Sequence, residues 1–281
     1  MLQKKYFRNI ICNMEQKIDI TSVLEWYLES GVTESCGAEP VLANKAQSPE
    51  KTAPTEVYYQ SGDSAVASSR PAISALAQTS VAACKNAREL CEKATSLEEL
   101  KQLVSNFEGC ALKFNAKSMV FGSGNPHAEI LIVGEAPGAD EDRLGLPFVG
   151  RSGHLLDKML AAIGVERESV YITNILPWRP PGNRTPTDGE VAVCLPFLKK
   201  QIDLVKPRVL LLLGGSAANA ILDNAEPISK MRGKWFEYKL SDKTTVQAVA
   251  SFHPAFLLRN SAQKAKAWAD FLRILKKLKE N

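Results

Sequence analysis

Four short apolar runs in this chain each end in groups that can bind a polar ligand. AEILIVG (128–134) leads into Glu135-Ala136-Pro137-Gly138-Ala139-Asp140-Glu141-Asp142. SVYITNI (169–175) carries Asn174 and is followed by Arg179-Pro180-Pro181-Gly182-Asn183-Arg184. RVLLLLG (208–214) opens into Gly215-Ser216, and TVQAVAS (245–251) into Phe252-His253-Pro254. Carboxylates, an amide, a hydroxyl and an imidazole therefore stand at corresponding places. These groups hydrogen-bond and move protons. Glycine lets a backbone approach a ligand closely, and proline stiffens the approach.

Each feature alone has a plain reading. Gly134 to Gly138 can be an ordinary turn: it lacks the Gly-Lys-Ser/Thr of a phosphate loop, and no G-x-G-x-x-G occurs there. Gly214-Gly215-Ser216-Ala217 lacks the second glycine of a nucleophile elbow. His253 can be structural, Asn174 a satisfied core amide, and Arg179 and Arg184 solvated. Four such ends converging on one crevice favour a binding site over four coincidences.

The runs read as β-strands. Helical spacing follows each, at roughly 153–163, 188–205, 216–223 and 262–279. That alternation predicts a parallel sheet covered on both faces, an α/β fold with three layers (α/β/α) around a central, mostly parallel four-stranded sheet. In such sheets ligands bind outside the carboxyl ends of the strands, where the polar groups lie.

The remainder organises around that core. Residues 18–30 read as a short amphipathic helix within an N-terminal segment, 1–35. Residues 36–80 are rich in Ala, Ser and Pro and poor in large apolar side chains, the pattern of a disordered linker. Helical spacing returns over 82–106, with Ser96 and Glu99 placed as a capping box. Residues 81–281 form the folded unit, with its core at 118–279. Met14 is an alternative start.

The 281 residues are 45% hydrophobic and 23% charged, which excludes fibrous and wholly disordered classes. Apolar runs such as Val209 to Leu213 are too short to span a bilayer. Aromatics at 7% argue against an aromatic-rich single-strand binder. Residues 1–100 hold 10 basic and 13 acidic residues, and residues 101–281 hold 25 and 18. The second part thus has a mild positive field suited to a polyanion. Six scattered cysteines with neither a C-x-x-C pair nor a signal peptide suggest reduced thiols and a cytoplasmic setting.

Residues 118–276 resemble the type-4 uracil-DNA glycosylases. The matching words are GEAPGADED (134–142), LPFVGRSG (146–153), TNILPWRPPGNRTP (173–186) and SFHPAFLLRN (251–260). The resemblance implies excision of uracil from DNA, with the base flipped out of the stack. Phe148 would stack on the base, with Gly134 and Ala136 lining its pocket. Asn174 would accept from uracil N3–H and donate to O4, a pattern cytosine reverses. His253 would donate to O2 as negative charge builds on the departing base. Glu135, Glu141 and Asn183 are candidates to position water or stabilise the sugar, Glu135 foremost. Arg151, Arg179, Arg184 and Arg259 would meet phosphates, and Leu257 and Leu258 would wedge into the vacated stack. Lys264, Lys266, Lys276, Lys277 and Lys279 read as a solvated basic face.

One departure stands out. Type-4 enzymes typically hold a [4Fe–4S] cluster on four cysteines. Here Phe107 and Trp178 occupy two of those positions, and Cys110 and Cys194 remain. Two thiolates cannot complete such a site, so no cofactor is expected and the two rings are expected to fill the space. Cys84 and Cys91 lack motif spacing. The basic histidine insert of a related, covalently trapping branch is absent between Pro186 and Val209, and no motif lysine suggests a Schiff base. Simple hydrolysis by a monomer is expected, with residues 1–100 free for a repair or replication partner. The competing readings are a DNA-binding or polymerase-associated module that kept the fold and lost the chemistry, and a hydrolase of small nucleosides.

Overall fold

The computed structural model describes residues 70–280, so the helix expected at 18–30, the alternative start and most of the expected linker lie outside the described residues. The strands are β1 (Ser123–Gly124), β2 (Ile130–Gly134), β3 (Tyr171–Asn174), β4 (Val209–Leu213), β5 (Trp235–Lys239) and β6 (Thr245–Ser251). The helices are α1 (Arg70–Lys93), α2 (Leu97–Asn106), α3 (Ala139–Leu144), α4 (Arg151–Ala161), α5 (Asp188–Val205), α6 (Gly215–Leu222), α7 (Ile228–Met231), α8 (Pro254–Arg259) and α9 (Lys264–Lys279).

The strands form one sheet in the order β1-β3-β2-β4-β6-β5. The inner four are parallel, as expected, and antiparallel edges make the total six rather than four. β1 is only two residues long, too short to show a pattern. β5 was legible: Trp235-Phe236-Glu237-Tyr238-Lys239 is aromatic-rich, and a short turn joins it to β6 as a hairpin.

Alternation along β2 explains the two cores. Leu131 and Val133 face a core built with α1, α2, α5 and α6. Ile130 and Ile132 face a second core built with α4, α8 and α9. With both faces covered, the inner strands are continuous apolar runs. The same alternation puts Gly134 and Asn174 on the α4 side at the carboxyl end, where they pair in register.

α1 begins at Arg70, inside the stretch expected to be linker. Its first turn holds Pro71, and Ala-rich sequence follows, both favourable to a helix despite few large apolar residues. Ser96 caps α2 as expected, its hydroxyl accepting from the Glu99 N–H at 3.2 Å. Lys264 is not part of a solvated face: it opens α9 buried against the second core, whereas Lys266, Lys276 and Lys279 are exposed. Among the described residues no helix is long and apolar enough to cross a membrane.

Candidate functional site

The site is built where β2, β3 and β6 end. The chain leaves β2 through Gly134-Glu135-Ala136-Pro137, turns into α3, and returns through Phe148 to α4. Phe148 is buried with φ of +52°, a conformation uncommon for a non-glycine residue. Two glycines make room for it. A Cβ on Gly134 would lie 2.7 Å from two Phe148 ring carbons, and one on Gly153 would lie 1.9 Å from the Phe148 carbonyl oxygen. The local strain is held by packing, which is where such strain is found at functional sites.

Glu141 also holds this loop. Its Oε1 accepts from the N–H groups of Val149 (3.0 Å) and Gly150 (2.9 Å), and its Oε2 from Gly138 (3.1 Å). Both oxygens accept from backbone, so Glu141 shapes the loop that carries Phe148. Asp142 braces the loop from outside, its buried carboxylate accepting from the N–H groups of Lys117 (2.8 Å) and Ser118 (3.2 Å).

Asn174 ends β3 with its side chain buried. A Cβ on Gly134 would stand 2.4 Å from its Oδ1, so the amide and the Phe148 ring share one wall. His253 follows β6, and its ring centroid lies 5.5 Å from that of Phe148. The imidazole caps α8, with Nδ1 accepting from the Ala255 N–H at 3.1 Å. The ring proton therefore sits on Nε2. Burial lowers the His253 pKa to about 4, the Arg259 cation pushes the same way, and Glu141 opposes them. The imidazole is thus a neutral donor at ordinary pH.

The end of β6 is anchored in the core. Ser251 Oγ donates to Asp270 Oδ2 at 2.8 Å, and Arg232 Nε donates to the same oxygen at 3.0 Å. The fully buried Asp270 thereby ties α9 to the strand that leads into His253. On the other side, Gly214 donates its N–H to the Ser251 carbonyl at 2.9 Å. Glu135 is half-buried, and its Oε2 accepts from Ser216 Oγ at 2.5 Å.

Gly134, Phe148, Asn174 and His253 are brought together, with Glu135 adjoining them. Ala136 packs against the first core beside the site. Asn183 is exposed with φ of +56°, its Oδ1 accepting from Arg179 Nε at 2.8 Å. It braces Arg179 in the loop after β3. Arg184 is committed to Glu190, through bonds of 2.9 and 2.6 Å. That guanidinium holds the Glu190 carboxyl down at about 2. Arg151 and Arg259 are exposed. Leu257 is fully buried in the second core and cannot enter a base stack, because its side chain faces the sheet. Leu258, the next residue of the short helix, is 40% exposed. Ser216 and Asp142 stand among the strand-end groups that the sequence brings forward without a role, and Asp270 is not among them. Ser216 carried a further signal, a hydroxyl just inside a helix that starts at a strand end.

Among the described residues, the four-thiolate set of a cluster is not assembled. Cys110 and Cys194 lie buried with their sulfurs 3.8 Å apart, Cys194 donating to Cys110. Cys194 keeps its proton, pushed well up by that bond and by burial. Phe107 and Trp178 are buried, and Phe107 meets Phe197 edge-on at 5.0 Å. The buried Cys91 thiol is pushed up to about 12 by burial. Among the described residues no three His, Cys, Asp or Glu side chains come together as a metal site.

A family model described as the uracil DNA glycosylase superfamily matches residues 121–278. The sequence is 41% identical over 183 residues to a type-4 uracil-DNA glycosylase of Archaeoglobus fulgidus, covering 64% of this chain and 92% of that protein. It is 39% identical over 178 residues to one of Pyrobaculum aerophilum, covering 62% and 90%. It is 40% identical over 174 residues to one of Thermotoga maritima, covering 60% and 88%.

Proposed function

Since the chain belongs to the uracil DNA glycosylase superfamily, and to its type-4 members, we propose that the cleft at the ends of β2, β3 and β6 removes uracil from DNA and leaves an abasic site. The chain is a hydrolase of DNA repair. The observation that carries the site assignment is that the Asn174 amide and the Phe148 ring meet over Gly134, with the His253 ring centroid 5.5 Å from that of Phe148.

A base inside a duplex is out of reach, so it is flipped into the cleft at a cost of a few kcal/mol. Phe148 stacks on the everted ring. Asn174 reads the edge, its Oδ1 accepting from N3–H and its Nδ2 donating to O4. As the C1′–N1 bond breaks, its electron pair stays on the base. His253 Nε2–H then donates to O2, a bond stronger to the departing anion than to the neutral base. A water held by Glu135 adds its oxygen to C1′. Its proton passes to the carboxylate and on to the uracil anion. Glu141 is a positioning residue, holding the backbone around Phe148.

Outside the cleft, Arg151, Arg179 and Arg259 face the phosphates and Leu258 fills the gap left by the base. The reaction needs no iron–sulfur cluster, and buried rings occupy two of the places where its ligands would stand. The folded unit from α1 onward acts as a monomer in the cytoplasm. Contact with a repair or replication partner falls to residues 1–100, outside the matched domain.

The test is incubation with uracil-containing oligonucleotides, single- and double-stranded, followed by alkali. Wild type yields alkali-cleavable strands without a covalent protein–DNA adduct. Asn174→Asp and His253→Ala each lose roughly 10²- to 10³-fold in rate. Full activity in both variants would overturn the site assignment.

A further inference from the structure

We propose that Ser216 is a positioning residue that aims the Glu135 carboxylate at the attacking water. The inference rests on the role assigned to Glu135 above. Gly134 ends β2 against Phe148 and Asn174, and the next residue, Glu135, carries its carboxylate to the start of α6. Glutamate has three rotatable side-chain bonds, and holding it in one geometry costs conformational entropy. A fixed donor must offset that cost.

α6 supplies the donor. The chain leaves β4 through Gly214, whose φ of +96° strongly favours glycine and sets the direction in which α6 starts. This turn is itself referenced to the site. A Cβ on Gly214 would lie 3.3 Å from the His253 Cβ, and the Gly214 N–H is bonded to the last residue of β6. Ser216, two residues on, donates Oγ–H to Glu135 Oε2 at 2.5 Å. A hydroxyl bonded to an ionised carboxylate is among the shorter and stronger hydrogen bonds. The first turn of α6 adds a favourable field for a negative group.

Glu135 is thereby clamped through one oxygen, and the other is left for the water. Because the Ser216 proton points at the carboxylate, the hydroxyl orients and does not attack. One turn thus sets both His253 and Glu135, so the donor to the leaving base and the holder of the water keep a constant spacing.

The test measures single-turnover rates on a single-stranded uracil oligonucleotide for wild type, Ser216→Ala, Ser216→Thr, Glu135→Gln and the Ser216→Ala/Glu135→Gln pair. Thermal midpoints and binding of abasic product DNA are followed in parallel. Ser216→Ala is expected to lose roughly 10- to 100-fold in rate, with product-DNA binding unchanged. Ser216→Thr, which keeps the hydroxyl, stays within about threefold of wild type, as a retained hydrogen bond requires. In the Glu135→Gln background the alanine change has less than about a twofold further effect, because the two residues act as one unit. An unimpaired Ser216→Ala, or an equal loss in both backgrounds, overturns the proposal. An unimpaired Glu135→Gln instead overturns the role given to Glu135, and the Ser216 proposal with it.

Discussion

Gly134 and Asn174 lie side by side across the β2–β3 pair, so close that a methyl group on Gly134 would sit 2.4 Å from the Asn174 Oδ1. The same methyl group would stand 2.7 Å from two carbons of the Phe148 ring. The amide that reads the base and the ring that stacks on it thus share one missing side chain. Gly134→Ala is expected to push both groups apart and lower uracil excision by at least roughly 100-fold, as angstrom-scale misplacement does. Substrates carrying uracil in single- and double-stranded DNA should suffer alike, since the damage lies in the pocket.

His253 titrates near 4 rather than near its ordinary value, because burial and the Arg259 cation disfavour the charged ring. The excision rate should therefore show no break at about pH 6.5, where a free histidine gains its proton. The sign for stability is definite. The unfolded ring binds a proton below about pH 6.5 and the folded ring only below about pH 4, so stability falls as pH drops through that window. His253→Ala should abolish this part of the acid dependence, read from denaturation midpoints between pH 7 and 4.

Neighbouring leucines should behave oppositely. Leu257→Ala removes a fully buried side chain from the second core and is expected to cost about 2–5 kcal/mol of stability. Leu258→Ala should leave the melting temperature almost unchanged, being partly exposed. It should instead slow excision from duplex DNA more than from single strands, because only the duplex has a stack to be filled.

The arginines separate by what already holds them. Arg151→Ala and Arg259→Ala should each reduce the salt slope of DNA binding by about 1 in log–log form. Arg184→Ala should leave that slope unchanged, because its guanidinium is committed to Glu190. Its loss would show as lower stability near neutral pH and a shallower acid dependence, since the Glu190 carboxyl titrates at about 2 only when paired. That contribution is present above the ordinary carboxylate range and disappears as pH falls through about 2.

Purified protein should be colourless near about 400 nm and carry no stoichiometric iron or sulfide, the region where thiolate–iron bonds absorb. Chelators should not lower its melting temperature. Phe107→Ala should destabilise by about 3–5 kcal/mol, because the ring packs edge-on against Phe197 in the first core. Iron and sulfide bound in proportion to protein would contradict this.

Much was legible in the sequence. Both faces of the inner strands are covered, so their apolar runs stood out, and polar groups cluster after each. Gly134, Phe148, Asn174 and His253 are short-range features of motif words, and the fold joins them as the strand order requires. Glu141 stood in the same word as Glu135 and Asn183 in the word of Asn174, yet only partner bonds reveal them as braces. Leu257 and Leu258 are adjacent, and sequence does not say which one faces the sheet. Lys264 looked like its exposed neighbours until the packing of α9 buried it.

The sequence by itself determined the alternation of strand and helix, the parallel core and the residue types at the strand ends. Those depend on local periodicity, which one chain carries in full. Tertiary structure alone decided the antiparallel edge at β1, the tautomer of His253 and the partner of Glu135. Each depends on a group distant in sequence or on the local course of the backbone. Ser216 and Glu135 meet across 81 positions, and no pattern along the chain specifies that their oxygens close to 2.5 Å.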